Sequence, residues 1–210
     1  MRVRIKRILS WVRGQRILDV GCTSHIMDVD SPDWLHGHLV SNFPDVHGID
    51  VSDDKIDEMR KNGFENVETA SAETFSSPIK FDTIVAGELI EHLSNPGLFL
   101  DNALRHLAPD GRIVISTPYP FSLLYGMYAV AKYPRTCFNP EHTAWFCPQT
   151  MMEISKRSGL AVEHWELMQD YGDEYNSIPY VILSRTIKYL GFVIPKRLKC
   201  NTMLFVLRRP

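Results

Sequence analysis

Near the middle of the chain, Glu88, Glu91 and His92 stand at i, i+3 and i+4. If this turn is helical they share one face. Two carboxylates beside an imidazole are suited to removing a proton from a hydroxyl. Two further acids, Asp19 and Asp50, fall at the ends of short apolar runs, Ile17–Val20 and Val46–Asp50. In an open α/β sheet the crevice beyond the carboxyl ends of the strands is where ligands bind, so a carboxylate there more readily meets a ligand than closes a surface salt bridge. An acid after the second strand can accept hydrogen bonds from both hydroxyls of a ribose, which is the physical reason nucleoside sites place one there, and Asp50 stands at that position. The alternative is that Asp50 only leads into a helix capped by Ser52.

The elements that must position these residues alternate between strand and helix. Ile5, Ile8, Leu9 and Val12 have the i, i+3, i+4, i+7 spacing of an amphipathic helix over 3–12, which either lies against a sheet or contacts a membrane surface or an anionic substrate. Ile17, Leu18 and Val20 form a strand, and Gly21 permits a sharp turn after it. A helix from Pro32 to about Phe43, a strand at Val46–Asp50, a helix from Ser52 to Lys61 closed by Gly63 and a strand at Asn66–Ala70 follow. Phe81–Ala86 is the fourth strand. Asn95 caps and Pro96 begins the next helix, Pro109-Asp110-Gly111 turns, and Arg112–Ser116 is the fifth strand. Pro148 starts a helix that Gly159 ends, and strands at Ala161–Met168 and Asn201–Leu207 complete the pattern. The expectation is one α/β domain over 1–210, built on a seven-stranded sheet. Residues 118–147 and 171–199 read as irregular apolar insertions that cap it. All eight tyrosines lie between 119 and 189, which suggests an aromatic cover over a substrate.

A dinucleotide site needs G-x-G-x-x-G so that the backbone can approach a pyrophosphate. Only Gly21 is present among residues 19–25, and Asp19 would repel phosphate. The stretch Asp19-Val20-Gly21-Cys22-Thr23-Ser24-His25 instead resembles motif I of the class I S-adenosylmethionine-dependent methyltransferases, Asp/Glu-x-Gly-x-Gly-x-Gly, with Thr23 and His25 where the family usually has its second and third glycines. Phe81-Asp82-Thr83-Ile84, Glu88-Leu89-Ile90-Glu91-His92-Leu93 and the run from Leu107 to Pro118 are family-like too and occur in the family's order, so the resemblance covers Arg16 to Thr117. It points toward the ubiquinone-pathway O-methyltransferase-like group. It implies a Rossmann-like fold, a doubly wound seven-stranded sheet with an antiparallel last strand and helices on both faces, with S-adenosylmethionine as cofactor and cofactor contacts at Asp19, Gly21, Cys22, Thr23, Asp50, Val51, Ala72, Glu73 and Gly87. Ser71 replaces an acid that in relatives contacts the adenine amino group.

Methyl transfer from a sulfonium is an in-line displacement, for which an enzyme aligns the reactants and excludes water. The resemblance makes His92, His142 and Glu88 the catalytic candidates, because relatives carry a His shortly before a Phe-x-Pro helix start, as His142 precedes Phe146-Cys147-Pro148. It also implies a divalent metal at Glu88, Glu91, His92 and His142, a donor set chemically adequate for one. Base or substrate contact, metal ligation and structural hydrogen bonding remain open as roles. So does a methyltransferase-like binding module without catalysis, which the altered glycine turn would favour.

Composition narrows the partners. With 23 basic and 25 acidic residues the net charge is -2, which argues against a general nucleic-acid binder. Basic residues nevertheless cluster at 2–16 and again at Lys196, Arg197 and Lys199. The four cysteines form no C-x-x-C pair and fit reduced thiols in a cytoplasmic protein. Charges interrupt residues 1–16, and no apolar run is long enough to span a bilayer. A small-molecule or lipid-linked acceptor, methylated at oxygen, is the expected partner, with peripheral membrane contact as the further option.

Overall fold

A computed structural model describes residues 1–24, 27–28, 31–132, 139–171 and 194–210. The chain runs α1 (Val3–Trp11), β1 (Arg16–Val20), α2 (Leu35–Asn42), β2 (Asp45–Asp50), α3 (Asp53–Lys61), β3 (Val67–Thr69) and β4 (Phe81–Gly87). A 3-10 turn at Ile90–His92 precedes α4 (Pro96–His106), β5 (Leu107–Pro118), α5 (Leu123–Lys132), α6 (Pro148–Arg157) and β6 (Ala161–Met168). A one-turn helix at Lys196–Lys199 leads into β7 (Thr202–Arg208).

The seven strands lie in the order β3-β2-β1-β4-β5-β7-β6. β7 alone runs against its neighbours, pairing antiparallel with both β5 and β6. The order reverses between β1 and β4, which pair in parallel from Ile17–Thr83 to Asp19–Val85. A crevice therefore opens beyond their carboxyl ends, where chains leave the sheet in opposite directions. Strand alternation assigns the two faces. Ile17, Val85, Val114, Leu204 and Val206 pack under α1 and α2 with Ile5, Ile8 and Leu39. Leu18, Ile84, Ile113, Ile115 and Phe205 pack on the other face with Phe99 and Leu100 of α4 and Met151 of α6.

Several elements differ from expectation for identifiable reasons. α2 starts at Leu35 rather than Pro32, with Trp34 at its N-cap. Ser52 occupies the N-cap of α3 but makes no side-chain cap bond; Asp50 Oδ1 instead accepts from the Ser52 backbone at 3.0 Å. β5 begins at Leu107, which pairs with Phe81 before pairing resumes at Thr83–Arg112, so the Pro109–Gly111 segment bulges out of one long strand. Residues 118–147 are not wholly irregular, since α5 lies among them. Its sequence has no helical period because it has no single buried face: Leu124 is its one buried residue. The stripe of α1, in contrast, is used inside the fold, with Ile5 and Ile8 fully buried and Val12 nearly so. Most of the second expected cap, 172–193, lies outside the described residues.

Candidate active site

Gly21 turns β1 into the crevice at φ 80, donating its N–H to Ile49 O at 2.8 Å. A Cβ there would stand 3.1 Å from Leu89 Cδ1, so both conformation and space select glycine. Beside it Asp50 is held by three donors: its Oδ2 accepts from the Thr23 hydroxyl at 2.8 Å and the Thr23 N–H at 3.3 Å, and its Oδ1 from Ser52. Thr23, where a second glycine was the commoner residue, thus braces the acid that closes β2. His25 lies outside the described residues.

These residues edge a cleft of about 330 Å3 whose walls include Gly21, Asp50, Val51, Ala72, Glu73 and His92. That size suits a small-molecule cofactor. Val51 is 72% exposed and Ala72 buried, giving the cleft an apolar lip and floor. Glu73 Oε1 accepts from the Asn95 N–H at 2.8 Å, which ties this wall to the start of α4.

Three of the residues expected to touch a cofactor lie behind the cleft. Asp19 is 1% exposed and does not hang into the crevice; its Oδ2 meets His36 Nδ1 at 3.0 Å, while its buried Oδ1 has no protein partner. Cys22 is buried as well, with its carbonyl accepting from Trp34 Nε1 at 2.9 Å. Burial, then Asp19 and Asp50, push its thiol far up, so it stays protonated. Gly87 lies under the N-terminal helix, where a Cβ would meet Leu35 Cδ2 at 2.7 Å and an Arg4 guanidinium nitrogen at 3.0 Å.

At the end of β4 the expected trio is split. Glu88 sits at φ 55, alone among the described non-glycine residues in having a positive φ, and its N–H donates to Ser116 O at 3.0 Å. Such a conformation costs of order 1 kcal/mol and points to a functional constraint. It also turns the chain before the 3-10 turn begins, so Glu88 does not share a helical face with Glu91 and His92. Burial raises the Glu88 carboxyl, and nearby Arg4 opposes the shift. Arg4 is itself tied to buried Asp170, its N–H donating to Asp170 Oδ1 at 3.0 Å.

Glu91, His92 and His142 do converge: one ligand atom from each lies within 4.8 Å of the others. The Thr143 hydroxyl donates to Leu93 O at 2.7 Å and its backbone N–H to Glu91 O at 2.8 Å, pinning the His142 segment to the 3-10 turn. Glu91 is 1% exposed, and its Oε2 accepts from the Thr117 hydroxyl at 2.9 Å. Burial first and Glu88 second raise its carboxyl well above the usual range. The His92 and His142 rings meet edge to face at 4.7 Å. Burial lowers the pKa of both, and that of His142 falls to about 4 with help from His92, so both are neutral near pH 7. Glu91 Oε1 and His142 Nδ1 are buried without partners. Trp145 stands edge-on to His142 at 5.7 Å and to Tyr125 at 5.0 Å.

Sequence reasoning missed His36, Arg4, Asp170, Thr117 and Trp145. Thr117 and Trp145 lie inside or beside motifs that pointed to them, whereas His36 and Asp170 carry no local signal.

A seven-stranded sheet reversing between β1 and β4, with an acid after β2 and a carboxylate–imidazole cluster after β4, is the arrangement of the class I S-adenosylmethionine-dependent methyltransferases. The chain belongs to the methyltransferase domain family, whose model matches residues 2–165. It is 25% identical to a ubiquinone biosynthesis O-methyltransferase of Rickettsia prowazekii over 82% of this chain and 77% of that protein. A second ubiquinone biosynthesis O-methyltransferase, from Aromatoleum aromaticum, is 26% identical over 70% of this chain and 68% of its own. Among solved structures, a SAM-dependent methyltransferase from Archaeoglobus fulgidus superposes with a TM-score of 0.64 at 17% identity, covering 98% of this chain and 91% of that one. At that identity the likeness speaks to the fold.

Proposed function

We propose that the chain transfers the methyl group of S-adenosylmethionine to an oxygen of a small or lipid-linked acceptor whose hydroxyl is received by His92 and His142. The observation that carries this reading is the pairing of neutral imidazoles at the end of β4 with a cofactor cleft that one of them, His92, also lines. In this reading Asp50 accepts from both ribose hydroxyls, Val51 and Ala72 pack against the adenine, and Gly21 lets the backbone approach the cofactor. The acceptor oxygen attacks the methyl carbon opposite the sulfur; the new C–O bond forms as the S–C bond breaks, and S-adenosylhomocysteine leaves as a neutral thioether. The hydroxyl proton passes to His92, which is uncharged and able to accept it. Relatives that methylate oxygen support the choice of nucleophile.

A divalent cation fits the same residues, since Glu91 Oε1 and His142 Nδ1 are buried acceptors without partners. Glu91, His92 and His142 would hold it, with Glu88 outside the set. Such an ion would lower the pKa of a bound hydroxyl.

The test begins with isothermal titration against S-adenosylmethionine, S-adenosylhomocysteine and NAD, followed by turnover on simple and isoprenoid-linked phenols with and without chelator. One-site binding of the SAM pair and methyl transfer to a phenol are expected. Cofactor binding with no transfer to any hydroxyl would leave a binding module in its place. A chelator-sensitive rate restored by added cation assigns the metal role, and an insensitive one leaves His92 as the proton acceptor.

A further inference from the structure

Among the described helices α5 is the unusual one. Its residues Leu123 to Ala131 are apolar apart from the two tyrosine hydroxyls, and a helix apolar all round belongs in a core or in lipid. Yet only Leu124 is buried. Val130 is 85% exposed, Met127 44%, and Phe121, just before the helix, 60%. Met127 and Val130 lie three apart on one face. Beside α5 packs the one-turn helix Lys196–Lys199, which adds the exposed Leu198 together with Lys196, Arg197 and Lys199, and Lys132 closes α5 itself. Neither segment carries an acid.

We infer that this surface, Phe121, Met127, Val130 and Leu198 ringed by Lys132, Lys196 and Arg197, docks on an anionic lipid bilayer. Apolar side chains enter the acyl boundary while lysine and arginine meet the headgroups, the arrangement of an interfacial helix. The charge pattern decides the occupant. A second copy brought face to face across a twofold axis would oppose like charges, whereas anionic lipid complements every cation present. The length of α5, 10 residues, suits lying on a bilayer and not crossing it. The role expected of α1 thus passes to α5, since the apolar stripe of α1 is buried against the sheet. The surface is also coupled to the site, because Tyr125 of α5 contacts Trp145, which contacts His142. Docking there sets the acceptor side of the crevice beside the membrane, so an acceptor dissolved in the bilayer would be taken from it directly.

The test is co-sedimentation of the full chain with phosphatidylcholine vesicles with and without phosphatidylglycerol, in low and in raised salt. Binding to the phosphatidylglycerol vesicles is expected, weakening with salt. The double variant Met127→Asp/Val130→Asp should lower partitioning about a hundredfold, and Lys196→Glu/Arg197→Glu by roughly thirtyfold. All four side chains are exposed, so S-adenosylmethionine affinity and the melting temperature should not change, which separates docking from folding. Absence of wild-type binding to the anionic vesicles, or undiminished binding by both variants, would overturn the proposal. A dimer in sedimentation velocity that Met127→Asp/Val130→Asp dissociates, without vesicle binding, would give the surface to a second copy.

Discussion

The crevice has two edges that treat polar groups in opposite ways. At the β1–β2 edge the carboxylate of Asp50 is met by three donors before any ligand arrives, and among the described residues there only the buried Asp19 Oδ1, behind the cleft, is left without a protein partner. At the β4 edge Glu88 Oε1, Glu91 Oε1 and His142 Nδ1 are buried and unmatched. Buried polar atoms are almost always satisfied, so Glu91 Oε1 and His142 Nδ1, whose side chains converge, mark a place for an external partner. A preorganised acid holds its geometry through every turnover and so suits a cofactor common to the class. Unsatisfied groups suit the variable partner, an acceptor or a cation, which completes them on arrival.

Replacing His92 by Ala would break this contrast most severely. It should lower kcat by about 10²–10⁴-fold while leaving S-adenosylmethionine affinity nearly intact. Titration calorimetry and initial rates on the same preparation check this; an undiminished rate returns His92 to a structural role. Asp50→Ala should do the reverse, weakening S-adenosylmethionine by about 2–4 kcal/mol through loss of two charge-assisted hydrogen bonds. Unchanged affinity would move the ribose elsewhere.

Two smaller changes sharpen the comparison, one behind the β1–β2 edge and one on it. His36→Ala leaves Asp19 buried without its partner and should cost about 2 kcal/mol, read as a lower urea midpoint with an unchanged slope. Gly21→Ala forces a Cβ onto a φ of 80 against Leu89. Its cost of about 1–2 kcal/mol should lower the melting temperature by roughly 2–8 °C. Wild-type stability in the His36 variant would mean that the Asp19 pair contributes nothing net, as some buried pairs do.

The pattern of strands and helices was legible where it follows local rules. Strand ends, Gly21, Asn95-Pro96 and Gly159 are signals within a few positions of the structure they cause. β6 matches Ala161–Met168 at both ends. Legibility fell where an element answers to solvent or to a distant partner. α5 escaped a periodicity reading because nearly all of its residues are apolar while nearly none is buried. Glu88 was grouped with Glu91 and His92 by spacing, and a single left-handed residue undid that grouping.

The sequence by itself determined the order of strands and helices, the turn at Gly21 and the set of residue types that chemistry requires, because each depends on neighbours close in the chain. Tertiary structure alone decided that Asp19 faces His36, that Glu88 faces Arg4 and Ser116, and that His142 reaches His92 across 50 residues. Those contacts depend on which strands lie side by side and on how deeply each side chain is removed from water. No local pattern encodes either quantity.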